Sequence, residues 1–236
     1  MKKEEKLTLH HIFWYFLIFS IAGIIIETVY CYITTGVLES RKGLIWGPFC
    51  PVYGVSAAIL IIFLNKYQHE NVLKLFAYGF VVGSIAEYIL SFGLEAIYGV
   101  RFWDYGYVKL HLNGRICLQY SFYWGILSVI IMKWIKPVID KFIKKLPTKG
   151  RNITEIIFMI FFTINCIFTI WGIQTYQNRV MNEQENQAQT DNILVQVKQN
   201  IENNYFTNER MLKTFPNLRI RDEHGNEIWV RDLINH

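Results

Sequence analysis

Glu27, Glu87 and Glu95 stand inside otherwise apolar stretches. Glu87, Ser91 and Glu95 are spaced by four, which places them close to one helical face. Carboxylates in that setting can pair with arginines, contact a ligand or act as a base. Partners lie in the intervening loops: Arg41, Arg101 and Arg115, with Asp104 and Asn113 nearby. Arginine suits pairing because its planar fork can hold a carboxylate by two bonds. An ionisable group inside a membrane span usually faces the bundle interior and pairs, because exposure to lipid is costly. Two readings stay open: Arg–Glu clamps that tie loops to helices, or groups that contact a ligand. The arginines argue against a carboxylate metal site. No nucleophile–base signature names a catalytic residue, and no motif calls for a cofactor.

The aromatics Trp46, Tyr53, Trp103, Tyr105, Tyr107, Tyr120, Tyr123 and Trp124 gather at the level of these charges. They read as an interfacial belt, with a stacking or cation-binding box as the sharper alternative. His10, His11, His69 and His111 lack ligand spacing, and His10 and His11 read as solvated. Cys31, Cys50, Cys117 and Cys166 have neither zinc-ligand nor CxxC spacing and read as apolar fillers, a Cys50–Cys117 pair being the alternative.

These groups must be positioned by a membrane bundle. The chain has 236 residues, half of them hydrophobic, and the apolar residues fall in long blocks before about residue 176. Such blocks match the roughly 30 Å hydrocarbon core of a bilayer. The expected fold is an all-α integral membrane protein. Its five spans run over His11–Thr34, Pro48–Leu64, Leu75–Val100, Ile116–Met132 and Ile156–Tyr176. The first span has no small-residue cleavage site and carries Glu27, so it reads as retained. Lysines and arginines collect at Lys2, Lys3, Lys6, Lys66, Lys74 and between Lys133 and Arg151, which predicts a cytoplasmic N-terminus and an extracytoplasmic C-terminus. The net charge of +5 then reflects the inner leaflet and not nucleic acid.

Between the fourth and fifth spans, KPVIDKFIKKLPTKGR puts Val138, Ile139, Phe142, Ile143 and Leu146 on one helical face. That is a short amphipathic helix on an anionic leaflet, or equally a solvated linker helix. Residues 1–176 form the membrane domain. Residues 177–236 form a tail with a Gln/Asn-rich stretch, an amphipathic helix from Ile193, and two short strands around a His-Gly-Asn turn. A tail of this size builds little core of its own, so it is expected to pack on the outer face of the bundle.

The second span opens on GLIWGPFCPVYG, with Pro48 and Pro51 in its first third. The stretch at residues 114–125, GRICLQYSFYWG, aligns with it without a gap. Gly43 meets Gly114, Tyr53 meets Trp124 and Gly54 meets Gly125. Upstream, Glu27-Thr-Val-Tyr30 aligns with Glu95-Ala-Ile-Tyr98. The glutamate-to-glycine distances are 16 and 19 positions. Both first helices run outward, so the pattern predicts a parallel internal repeat with halves about 20–64 and 84–132. Irregular backbone at membrane depth is tolerated only where protein or a water-filled cavity satisfies it. The two bent starts are therefore expected to frame one outer cavity.

Glu27, RKGLIWGPFCPVYG, Glu95, RFWDYG and NGRICLQYSFYWG together resemble the ABC-transporter permease family labelled CmpB, or type IV. The likeness covers about residues 20–130, and FPNLRIRDEHGNEI is similar to tails in that family. The resemblance implies a transport-related permease subunit. The chain has no GxxxxGK[ST] phosphate loop, so such a subunit would need a separate ATPase. The first functional reading is a permease-like protein that binds a small polar ligand or lipid headgroup in the outer cavity. The alternatives are a membrane-embedded enzyme acting on a lipid or envelope precursor, with Glu87 or Glu95 as base, and a non-catalytic scaffold. Besides the bilayer and that ATPase, the sequence names no partner and no oligomeric state.

Overall fold

The computed structural model describes residues 6–99, 101–146, 151–181, 193–221 and 227–234. Lys2, Lys3, Val100, Lys149, residues 182–192 and the His-Gly-Asn turn at 224–226 lie outside the described residues.

Four helices are long and apolar enough to cross a membrane. Helix α1 (Leu9–Thr35) leads to α2 (Pro51–Leu64), which opens with proline in its first turn. Helix α3 (Val72–Tyr98) is capped by Asn71, whose side chain accepts from the Lys74 N–H at 2.8 Å. A two-stranded hairpin, β1 (His111–Leu112) with β2 (Ile116–Cys117), precedes α4 (Leu118–Ile130). A π turn at Ile131–Ile135 joins α4 to α5 (Lys136–Lys145), and α6 (Arg151–Met181) is the last long helix. The tail comprises α7 (Ile193–Tyr205), α8 (Asn208–Thr214), the antiparallel pair β3 (Arg219–Arg221) and β4 (Glu227–Trp229), and α9 (Val230–Ile234).

Two expectations need correction. The second span is not a helix over Pro48–Leu64. Helix α2 has 14 residues, about 21 Å at the rise of an α-helix, too short to cross a bilayer alone. Pro48 stays in the irregular stretch, because the main chain of residues 43–50 bonds elsewhere. The basic helix after the fourth span forms as expected, over Lys136–Lys145, but it continues α4 through the π turn and its expected apolar face is split. Its Ile139 and Ile143 are buried, while Val138 and Phe142 of the same expected face are exposed.

Helices α1 and α2 pack as one hairpin and α3 and α4 as another, with α2 against α3. Helix α6 runs alongside α1 in the same direction. Phe13 meets Phe158 and Phe16 meets Phe162 through edge-on ring contacts. One core gathers Tyr15, Leu64, Leu75, Ile139 and Ile143 at the end where α1 begins, here termed the α5 end. Another joins Ile173 and Tyr176 of α6 to Phe206, Met211, Leu218 and Val230 of the tail, with Ile45 and Tyr98 beside them. The tail therefore packs at the opposite end, the loop end, and Arg219 forms a strand-like bridge with Arg101 there.

Candidate functional site

The bent stretch before α2 is fastened halfway along the bundle. The Cys50 N–H donates to the Ser20 carbonyl at 3.0 Å, and Ser20 lies near the middle of α1. Asn165, near the middle of α6, clasps Trp46 twice: its oxygen accepts from the Trp46 N–H at 3.2 Å and its amide donates to the Trp46 carbonyl at 2.8 Å. One helical turn on, Thr169 Oγ1 accepts from the Ile45 N–H at 3.1 Å. Asn165 and Thr169 are fully buried. They supply the partners that irregular backbone needs at this depth. The Trp46 ring lies on Phe168, with centroids 5.0 Å apart.

Just inside α2, Tyr53 donates from its hydroxyl to Glu27 of α1. In the second hairpin Trp124 of α4 donates from its indole nitrogen to Glu87 of α3 at 3.1 Å. The ring in each pair lies over a glycine one turn before the glutamate. A side-chain carbon on Gly23 would collide with Tyr53, and one on Gly83 would collide with Trp124. Adding 60 to Gly23 and Glu27 gives Gly83 and Glu87, and adding 71 to Tyr53 gives Trp124. The geometric counterpart of Glu27 is thus Glu87, and the alignment of Glu27 with Glu95 is out of step by two helical turns. Close helix packing fixes the glycine and the acceptor, whereas Tyr30 and Tyr98 have different surroundings: Tyr98 lies in the core shared with the tail and Tyr30 is half exposed.

Glu87 is 7% exposed. It takes a second hydrogen bond, from the Tyr105 hydroxyl at 2.8 Å. Burial, and then the Glu87 carboxylate, push the Tyr105 phenol well above its ordinary value, so it remains a donor throughout the physiological range. Tyr105 stacks on Tyr120 with centroids 4.5 Å apart, and Tyr120 is hydrogen-bonded to Tyr30 of α1. Tyr53 lies within electrostatic reach of Tyr105, and Arg41 within that of Glu27. Helix α2 packs against α3, so the two carboxylate–aromatic pairs belong to adjoining hairpins.

Glu95 belongs to a different group. It pairs with Arg115 and, at 3.1 Å, with Arg101. Arg101 also holds Asp104 at 2.6 Å and donates to the Asn113 carbonyl at 3.4 Å, while Arg115 donates to Ser91 at 3.2 Å. Burial works against the Arg101 charge, but the bonds to Asp104 and Glu95 outweigh it and raise its pKa above the usual arginine value. The Asn113 side chain donates to the Tyr88 hydroxyl at 2.9 Å. Arg41 stands apart from this network beside Glu39 at 3.5 Å, and the Asn217 amide of the tail bridges the two.

Asn165 and Thr169 escaped the sequence reading, although their spacing of four within an apolar helix is a signal. So did a polar cluster at the α5 end. There Lys136, 2% exposed, pairs with Asp140 at 2.8 Å, and Asp140 accepts from the Tyr15 hydroxyl. Lys133 donates to the Gln68 and Glu70 carbonyls at 3.1 and 2.6 Å. His10 is not solvated: it bonds Glu155, which also accepts from Trp14 at 3.2 Å. The four cysteines are free, so Cys50 and Cys117 form no pair. Among the described residues no group of three metal-ligating side chains forms.

Comparison with curated proteins and with solved structures returned no match. A family model does match, over residues 14–170. That range spans both hairpins, the arginine network and the Asn165 clasp. The chain belongs to the family described as "Putative ABC-transporter type IV".

Proposed function

We propose that this multi-pass membrane protein is a permease-like subunit that binds a small polar ligand or lipid headgroup between its two hairpins, near the loop end. The observation that carries the reading is the broken second crossing. Helix α2 starts at mid-depth, behind backbone clasped by Asn165, and its first turn reaches Glu27 through Tyr53. Interrupted helices that begin near the midplane are how many transporters place backbone and carboxylate groups beside a ligand. In this reading Glu87, Tyr105 and Trp124 line the facing side. The two hairpins are the halves of an internal repeat in this reading. A separate ATPase would supply the energy, since the chain carries no phosphate loop of its own. The basic α5 end is assigned to the cytoplasm.

The enzyme alternative needs arginines to hold a phosphate. Arg101 and Arg115 are already engaged by Glu95 and Asp104, so the permease reading is preferred. The test is to purify the detergent-solubilised protein beside Glu27→Gln and Tyr53→Phe variants, and to identify bound small molecules and accompanying chains by mass spectrometry. The expected result is a ligand that the parent retains and the folded variants lose, with an ATPase chain present in all three. Equal ligand content in parent and variants would overturn the site.

A further inference from the structure

Helix α5 buries one ion pair, Lys136–Asp140, beside Ile139 and Ile143, and leaves part of its apolar surface outward. Lys136 and Asp140 are buried against Tyr15, whereas Trp134 is 63% exposed and Val138 65%, with Phe142 exposed beside them. Residues 134, 138 and 142 are spaced by four and form one stripe. The stripe continues the exposed side of α4, where Phe122 and Ile126 also face outward. Lys141 and Lys145 are exposed and follow one place before Phe142 and three places after it, which sets them along one flank of the stripe. Lys144 is exposed as well.

The depth of this helix is fixed by its neighbours. Asp140 meets Tyr15, and the Phe142 ring meets Trp14 at 5.9 Å. Both partners belong to the first turns of α1, where that span begins. An apolar stripe at the mouth of a span, edged by lysines, offers acyl chains one side and headgroup phosphates the other.

We infer that the Trp134–Val138–Phe142 stripe and the flanking Lys141 and Lys145 form a binding surface for anionic phospholipid, with acyl chains along the stripe and the phosphate between the lysines. Continuity with the exposed face of α4 favours lipid over a soluble partner, because whatever covers Phe122 and Ile126 continues across Trp134. Charge complementarity selects an anionic headgroup over a zwitterionic one. The inference stands apart from the ligand site proposed at the loop end.

The test uses the full chain in bilayers that carry brominated acyl chains, either on phosphatidylglycerol or on phosphatidylcholine. Quenching of Trp134, taken as the difference between the parent and Trp134→Phe, reports the lipid beside the stripe. Brominated phosphatidylglycerol is expected to quench it at lower mole fraction. Each of Lys141→Gln and Lys145→Gln should reduce that preference roughly fivefold. Added salt should weaken the preference in the parent itself, which keeps the test valid if a variant folds poorly. Equal quenching by the two lipids, or a preference unchanged in the double variant, would overturn the headgroup assignment. No quenching by either lipid would show that protein covers the stripe.

Discussion

The hairpins α1–α2 and α3–α4 hold a carboxylate in matching ways and hold their loops in different ways. In each, a ring from the second helix lies over a glycine of the first and donates to a glutamate one turn further on. The loop of the second hairpin is held mainly by its own residues, with the Arg219 bridge to Arg101 as its contact with the tail. Arg101, Asp104 and Arg115 tie it to Glu95, Trp103 donates to the Arg115 carbonyl at 3.1 Å, and the Tyr105 N–H donates to the Gly114 carbonyl at 2.7 Å. The loop of the first hairpin relies on groups far away in sequence: Asn165 and Thr169 of α6, and Asn217 of the tail. The difference teaches where each half can be disturbed. The first depends on α6 staying in place, and the second mainly on its own ion pairs.

The largest effect should come from the borrowed anchor. Asn165→Leu leaves the Trp46 N–H and carbonyl without partners in an apolar setting. Each such group costs about 1–3 kcal/mol, so roughly 2–6 kcal/mol is expected in denaturant unfolding of the solubilised protein. If Asn165→Leu unfolds like the parent, the first loop does not depend on α6 and the contrast collapses.

Next comes the second loop. Arg115→Ala strips one guanidinium from Glu95 and leaves Arg101 in place. The loss should be near that of one charged hydrogen bond, about 1.5–3 kcal/mol. Pairing it with Glu95→Ala measures the coupling, because a true pair makes the double variant less destabilised than the sum of the singles. Strict additivity would dissolve the network into independent contacts.

Four of the five expected spans were legible in the sequence because burial in lipid demands long apolar runs, while the run over Pro48–Leu64 imitated a full span with a helix of only 14 residues. Arg–Glu clamps between loop and helix were legible as one of two open readings, but the sequence did not say that Arg115 takes Glu95 and not Glu87. The register between the hairpins was not legible. The match of Glu27 to Glu95 rode on a following Tyr, whereas the packing repeats only Gly-x-x-x-Glu, too short a pattern to stand out. Asn165, Tyr15 and Asp140 stayed hidden for another reason. Their partners lie 119 and 125 positions away; the spacing of Asn165 and Thr169 marks a polar face on an apolar helix but cannot name a partner at that range.

A smaller effect tests the shared feature directly. Gly23→Ala and Gly83→Ala each push a methyl group into a ring that lies against the helix. Overpacking of this kind costs about 1–3 kcal/mol. The two losses should be similar if the hairpins pack alike. A loss at one position with none at the other would show that the matching contacts are not equivalent in energy.

The smallest effect separates the two carboxylates. Glu27→Gln and Glu87→Gln keep shape and remove charge, and the donors they face are neutral hydroxyl and indole groups. At Glu27 one oxygen accepts from Tyr53, and a glutamine carbonyl can serve in its place, so the stability change should stay below about 1 kcal/mol. At Glu87 both oxygens are engaged, one by Tyr105 and the other by Trp124. Glutamine can offer its carbonyl to only one of them and must turn its amide toward the other donor. One buried donor then loses its acceptor, and about 1–3 kcal/mol should be lost. Glu87→Gln is therefore expected to melt earlier than Glu27→Gln, and Glu87→Gln combined with Trp124→Phe should recover part of the difference, because the unsatisfied indole N–H is gone. Equal melting of the two glutamine variants would mean that Trp124 or Tyr105 finds another acceptor. The second hairpin would then hold its carboxylate no more tightly than the first.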